Sequence, residues 1–332
     1  MSNYVKVFKV FRQFIVPIIS TICLVISPVS AAEVDKGLPN YIKSSGIEGS
    51  LKSIGSDTLN NLMTLWTEGF RKEYLSVKIE IEGKGSGTAP PALISGTAHF
   101  GPMSRPMKSV EEDEFEEKYG YKPLAMRGAV DALAVFVHKD NPIQCLSLPQ
   151  VDAVFSKTRK GGLDKDAVTW GDLGLGGEWS SKPISVYGRN SASGTYGYFK
   201  EVALADGDYK DSVKEQPGSS AVVQSVATDK YSIGYSGVGY KTADVRTVPI
   251  SSNAGGECFD ASAQNAYEGK YPIARFLYIY FNKRPGSPLD PLRGEFVKYV
   301  LSQQGQQAVV KDGYFPIPSA IASQDLAAAG LE

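Results

Sequence analysis

Residues 188–199, GRNSASGTYGYF, set one arginine ahead of two serines, a glycine and a threonine before turning aromatic. Arg189 offers a planar, permanently charged fork, while Ser193, Gly194 and Thr195 offer hydroxyls and an open backbone where a helix would begin. Three chemistries use such a stretch: a nucleotide loop, a serine nucleophile and an anion site. Two more loops share the design, GSDT at 55–58 and GSGT at 85–88. A helix start carries partial positive charge and unpaired N–H donors, so it holds an anion with few cationic side chains. One such loop is only an ordinary cap, because Ser, Thr, Asp and Gly are what caps use. Three at strand-to-helix turns, one with Arg189 just ahead of it, favour the anion site, since these turns gather at one edge of an α/β sheet.

The rival chemistries fail on spacing. GRNSASGTYG has the wrong interval for a Walker A loop and no lysine before Thr195. GKGSGT lacks the last glycine of the dinucleotide fingerprint, and no G-x-S-x-G elbow occurs. His99 and His138 stand alone in the sequence, which leaves any serine a poor choice of base and argues against a histidine-based metal site. No cofactor is implied, and nothing marks the chain as an enzyme.

The elements that must position these loops follow one plan. Leu59, Leu62, Met63, Leu65, Trp66 and Phe70 recur at helical spacing after the capping candidates Ser56, Asp57 and Thr58. Val77, Ile79 and Ile81 alternate as a strand that runs into the second loop, and Pro90 and Pro91 open a short helix. AHFGPMSRPM makes a third strand and loop. AVDALAVFVHKDNP and, much later, ARFLYIYFNKRPGSP read as a pair of crossover strands between two domains. Between them lie the helix LPQVDAVFS, the strand PISVYGRN, the helices GTYGYFKEVAL and SSAVVQSVATD, and the strand YSIGYSG. LRGEFVKYVLSQQGQQAVVKDG reads as one closing helix, and residues 32–48 as a loosely ordered arm. One α/β domain inserted in another, joined by two strands, makes a hinged pair with a cleft.

Lys6, Lys9 and Arg12 precede an apolar run from Phe14 to Val29 that ends in Val29-Ser30-Ala31-Ala32. This is the pattern of a secretory signal, residues 1–31, rather than of a retained membrane anchor. Of 35 basic and 36 acidic residues, those three basic ones leave with the signal, and the remaining balance of −4 argues against a nucleic-acid partner. Cys23 leaves too. Cys145 and Cys258, an even pair far apart in an oxidising compartment, read as a disulfide rather than two free thiols.

GSDTL, EGKGSGT, GTAHFGPMSRPM, GRNSASGTYGYF, YSIGYSGVG and YPIARFLYIYFNK occur in this order between about residues 51 and 317. In these motifs the chain resembles the phosphate-binding proteins of phosphate-specific ABC transporters. The resemblance implies an α/β, two-domain periplasmic-binding-protein fold (type II, Venus flytrap) with two crossover strands. Domain I would take residues 48–138 and 249–332, and domain II residues 139–248. It implies a monomeric periplasmic receptor for inorganic phosphate that serves a permease in the inner membrane. Carried over by position, the ligand set is Thr58 and Leu59 from the first loop, Ser86, Ser104, then Arg189, Ser193, Gly194 and Thr195, with Ser56 as a further candidate. Some relatives place an aspartate in the third loop, where it accepts the phosphate proton and rejects sulfate; here that position is Ser104. A second family aspartate is Ser191 here. A hydroxyl both donates and accepts, which keeps a sulfate or molybdate receptor open as the alternative. A secreted phosphatase or an adhesion protein on the same fold is the reading from another class.

Several residues carry two readings. Arg105 adds a second charge at the site or makes a hinge ion pair, and Asp131 is placed to hold Arg105 or Arg189. His99 is an ordinary strand-end residue or a pH-sensitive group near the cleft. Tyr196, Tyr198 and Phe199 read as helix core rather than ligand stackers, and the run Glu111–Glu117 as a solvated helix face.

Overall fold

The computed structural model describes residues 32–331; the signal expected over 1–31 lies outside them. β1 (Gly49–Ile54) passes through a turn at Asp57–Leu59 into α1 (Asn60–Glu73), which buries Leu62, Met63, Trp66 and Phe70 as its periodicity requires. β2 (Val77–Glu82), parallel to β1, passes through a turn at Ser86–Thr88 into α2 (Ala89–Ser95), with Pro90 and Pro91 in its first turn. β3 (Gly101–Met103) leads to α3 (Ser109–Tyr119).

β4 (Leu124–His138), 15 residues long, is the spine of the molecule. Next come β5 (Leu146–Ser147), α4 (Leu148–Phe155), β6 (Ser185–Arg189) and α5 (Gly194–Ala203). β7 (Lys214–Gln216), α6 (Ser219–Thr228), β8 (Ser232–Gly237), β9 (Val245–Thr247) and β10 (Ile250–Ser251) complete this part. α7 (Ala263–Tyr267) and β11 (Ala274–Phe281) follow, then α8 (Pro291–Val300), α9 (Gln303–Lys311) and α10 (Ser319–Ala329).

One mixed sheet runs in the order β3-β11-β4-β8-β6-β7, with β9 also paired to β4. β4 belongs to both halves. Its residues Leu124–Ala132 pair antiparallel with β11, and Leu133–Val137 pair antiparallel with β8. The handover falls between Ala132 and Leu133, where the Leu133 N–H donates to the Ile273 carbonyl at 3.1 Å. The chain thus leaves the first half through β4 and returns just ahead of β11. β10 pairs with β5, and Cys145 and Cys258 form a disulfide with their Cα atoms 6.1 Å apart.

Two expectations are corrected. The arm at 32–48 is a docked strap. Leu38 is buried, Tyr41 Oη donates to Glu295 Oε2 at 2.7 Å, Ser44 Oγ donates to Glu295 Oε1 at 3.0 Å, and the Ser319 N–H donates to Asp35 at 2.7 Å. The closing helix is two helices. Ser302 Oγ donates to the Tyr299 carbonyl at 2.6 Å and accepts the Gly305 N–H at 3.2 Å, which ends α8 and caps α9. Gly305 allows the fold-back, since a Cβ there would lie 2.1 Å from the Tyr299 carbonyl.

Candidate functional site

Three loops from the first half of the molecule and one from the second meet in a buried cluster of hydroxyls. Thr58 Oγ1 lies 2.9 Å from Thr195 Oγ1, and Ser104 Oγ lies 3.3 Å from both Thr195 Oγ1 and Ser86 Oγ. Ser56 Oγ donates to Ser104 Oγ at 3.1 Å. All five side chains are at most 2% exposed. Fixed N–H groups occupy the acceptor side of several: Thr58 N donates to Ser56 Oγ, Ser104 N to Ser86 Oγ, and Thr195 N to Ser193 Oγ. A hydroxyl that already accepts from the backbone has its proton left to give, so the cluster is built to donate.

The loops approach so closely that glycine is required. The Gly87 N–H donates to the Ala192 carbonyl at 3.1 Å, between loops on opposite sides of the hinge. A Cβ on Gly194 would lie 2.3 Å from Ser86 Oγ and 2.8 Å from Ser104 Oγ. Gly85, at φ +117°, would put a Cβ 2.5 Å from the Ala192 carbonyl.

Arg189 ends β6 at 1% exposure. Its Nη1 donates to Ser219 Oγ at 2.6 Å and its Nη2 lies 3.1 Å from Asp57 Oδ2. Asp57 also accepts the Ser219 N–H at 2.7 Å, so a carboxylate of the first loop caps α6 from across the hinge. Nε of Arg189 is buried with no protein partner. Burial pulls the guanidinium pKa down, and the Asp57 carboxylate opposes that shift. The first loop is pinned from behind by Tyr240 Oη on the Asp57 carbonyl and Tyr314 Oη on the Thr58 carbonyl, each at 2.9 Å.

A second arginine stands on the other side of the cluster. Arg275, 6% exposed at the start of β11, pairs with Asp131 through Nε and Nη2 at 3.0 and 2.8 Å. Its Nη1 donates to the Ser104 carbonyl at 2.6 Å and its Nη2 to Thr195 Oγ1 at 2.9 Å. Asp131 Oδ1 accepts the Val238 N–H at 3.0 Å. A buried carboxylate survives in the apolar run of β4 because every strong bond it needs is made.

Of the expected residues, Ser56, Thr58, Ser86, Ser104, Ser193, Gly194 and Thr195 come together with Arg189 beside them; Leu59 has its side chain in the core at the start of α1. Ser191 does not join them: it is exposed. Arg105 lies against Gly197 of α5 in the other half but makes no ion pair there. It makes two bonds to Glu111, at 2.8 and 2.7 Å, within its own half, because α3 begins right after its loop. Asp131 holds neither Arg105 nor Arg189; β4–β11 pairing delivers Arg275 to it. His99 Nδ1 accepts the Lys52 N–H at 2.9 Å, outside the cluster, and burial lowers its pKa, as does Arg293, while Asp290 opposes them.

The aromatic run divides. Phe199 stacks on Tyr235 with centroids 3.9 Å apart, which is core, whereas Tyr198 Oη reaches the Ala274 carbonyl at 2.6 Å beside the returning crossover. The acidic run is only partly solvated, since Phe115 is buried and Glu111 caps α3. Arg275 and Asp57 were missed as site groups. The signal for Arg275 was a lone cation in the apolar run ARFLYIYF, which must find a buried partner.

Two α/β halves sharing one long strand, with helix-starting loops meeting across it, make the fold of the periplasmic binding proteins. The sequence model of the PBP superfamily domain matches residues 43–304. The phosphate-binding protein PstS of Pseudomonas aeruginosa is 57% identical over 302 residues, 91% of this chain and 94% of that protein. The PstS of Staphylococcus saprophyticus is 28% identical, over 79% of this chain and 78% of its own. An ABC-type phosphate transport receptor from Vibrio cholerae, 18% identical, shares the fold with a TM-score of 0.62 over 80% of this chain and all of its own. The chain belongs to the PstS phosphate-binding proteins of the PBP superfamily.

Proposed function

We propose that the protein is a periplasmic receptor that closes its two lobes on inorganic phosphate and presents it to an ABC permease of the inner membrane. It acts as a monomeric binding protein rather than an enzyme, exported by the signal at 1–31. The observation that carries this is the buried Nε of Arg189, an unpartnered cationic donor beside a cluster of donating hydroxyls. A desolvated oxyanion needs such donors on all sides. In this reading Arg189 is the charged clamp, and Thr58, Ser86, Ser104, Ser193 and Thr195 give hydroxyl protons. Leu59 and Gly194 give backbone N–H groups, and Ser56 supports Ser104. The names of the relatives support phosphate as the ligand and transport as the role.

The expected division, 48–138 with 249–332 against 139–248, is kept in outline with both crossings moved, the first to Ala132–Leu133, where β4 changes partner from β11 to β8. Pairing of Ile250–Ser251 with β5 and the bond from Cys258 to Cys145 support placing the second crossing near Ile273 rather than at 249.

A second reading, a receptor for sulfate or another tetrahedral oxyanion, is favoured by one feature. Asp57 and Asp131 are both engaged by an arginine, and at the third-loop position Ser104 puts a hydroxyl where a carboxylate would take the proton of phosphate. Calorimetric titration of the protein without its signal, with phosphate and then sulfate at two pH values, separates the two. Phosphate binds tightly and sulfate weakly if the first reading is right, and equal affinities favour the second. Arg189→Ala abolishes tight binding; unchanged affinity in that variant overturns the site.

A further inference from the structure

We infer that Arg275 is a positioning residue for closure: it ties the hinge strand and the third loop to Thr195 of the opposite lobe, and so holds the closed, anion-loaded form shut. The inference rests on the oxyanion reading of the site. One guanidinium here serves three parts of the molecule. Its bonds to Asp131 anchor it on β4 one residue from the point where that strand passes from β11 to β8. Its bond to the Ser104 carbonyl fixes the third loop. Its bond to Thr195 Oγ1 reaches the start of α5, which belongs to the other half of the sheet. The first two sets lie within one half and move as one piece when the hinge opens. The third crosses between pieces and exists only when they meet.

The bond to Thr195 also orders the hydroxyls. With Arg275 donating into Thr195 Oγ1, the Thr195 proton is left to give, to the anion or to Thr58 and Ser104. A cation in this place therefore acts twice, as a latch between lobes and as the group that turns Thr195 into a donor. Lysine cannot replace it, because one ammonium lacks the fork that spans Asp131, Ser104 and Thr195 together.

The test is a double-mutant cycle on phosphate binding, read by calorimetry for affinity and by stopped-flow for release. Arg275→Lys keeps the charge that Asp131 requires. It weakens phosphate about tenfold, the worth of one charge-assisted hydrogen bond, mostly as faster release. The midpoint of thermal unfolding without ligand falls somewhat, since one ammonium cannot keep all the bonds to Asp131 and the Ser104 carbonyl, so the latch is read from release and from its coupling to Thr195. Thr195→Val weakens binding by itself, and adding Arg275→Lys to it has little further effect. Additive effects, or unchanged release in Arg275→Lys, overturn the latch, as a merely structural role would give. Should Arg275→Lys fold poorly, the neutral pair Arg275→Gln with Asp131→Asn removes the charge without stranding its partner, and faster release is again expected. If the unaltered protein takes sulfate instead, the cycle is read with sulfate. Binding of neither anion overturns the reading of the site and the latch with it, whereas additivity in a protein that binds overturns only the latch.

Discussion

Gly194 shows how a close approach between the lobes dictates residue type. It is the first residue of α5, where alanine is the better helix former, so the local backbone gives no reason for glycine. The reason comes from the other lobe, where Ser86 Oγ and Ser104 Oγ would lie 2.3 and 2.8 Å from a Cβ. Gly194→Ala is therefore expected to leave thermal stability without ligand unchanged or slightly raised, while phosphate affinity falls at least tenfold in calorimetry. Intact affinity would show that the lobes do not meet here when loaded. The site was legible at residue scale where a motif carried it: Ser86, Thr58 and the Ser193–Thr195 turn sit in strand-to-helix loops that announce themselves. Arg275 and Asp57 were not, because their partners lie 144 and 132 positions away along the chain and are set by strand pairing and closure. The same blindness attached Asp131 to the wrong arginine.

Among the elements, those with a regular period were readable and those without were not. α1 declared its buried face through Leu62, Met63, Trp66 and Phe70, and the apolar run of β4 declared a crossover strand. The strap at 32–48 has no period; its anchors are single residues, Leu38, Tyr41 and Ser44, which no pattern search weights. Its strongest hold is Glu295, 4% exposed, which accepts from Tyr41, Tyr74 and Ser44. Burial alone would raise the Glu295 pKa, but these hydroxyls and Lys298 outweigh it and the carboxyl is held below its usual value. A lowered folded-state pKa gives stability that is present above the unfolded value of about 4.3 and is lost as pH falls beneath it. Glu295→Gln should thus cost about 1–3 kcal/mol at pH 7, the worth of hydrogen bonds to a buried charge. In denaturant titrations the gap to the unaltered protein should narrow below about pH 4. A gap that is the same at pH 7 and pH 3.5 would mean that the carboxylate is not what holds the strap.

On the scale of the whole molecule, one sheet joins two halves whose loops make a single site. The sequence showed the two-lobed plan through the order of strand and helix signals, and the pairing of Cys145 with Cys258 through their even number, their wide spacing and the oxidising compartment that a secretory signal implies. It did not show that the covalent tie stands apart from the anion site. The disulfide links the start of β5 to the segment after β10, at a separation of 113 residues. Neither cysteine contributes to the hydroxyl cluster or to the bonds around Arg189 and Arg275. Closing a loop of that size restricts the unfolded chain and is worth about 2–5 kcal/mol, while the folded lobes keep the pairing of β5 with β10 without it. The variant carrying Cys145→Ser and Cys258→Ser is accordingly expected to unfold at a lower temperature and lower denaturant concentration, yet to bind phosphate within about twofold of the unaltered protein, a difference of under about 0.5 kcal/mol. A loss of affinity beyond tenfold would show that the second lobe depends on its disulfide to bring Arg189 and Thr195 against the first. Brace and site would then be one structure rather than two.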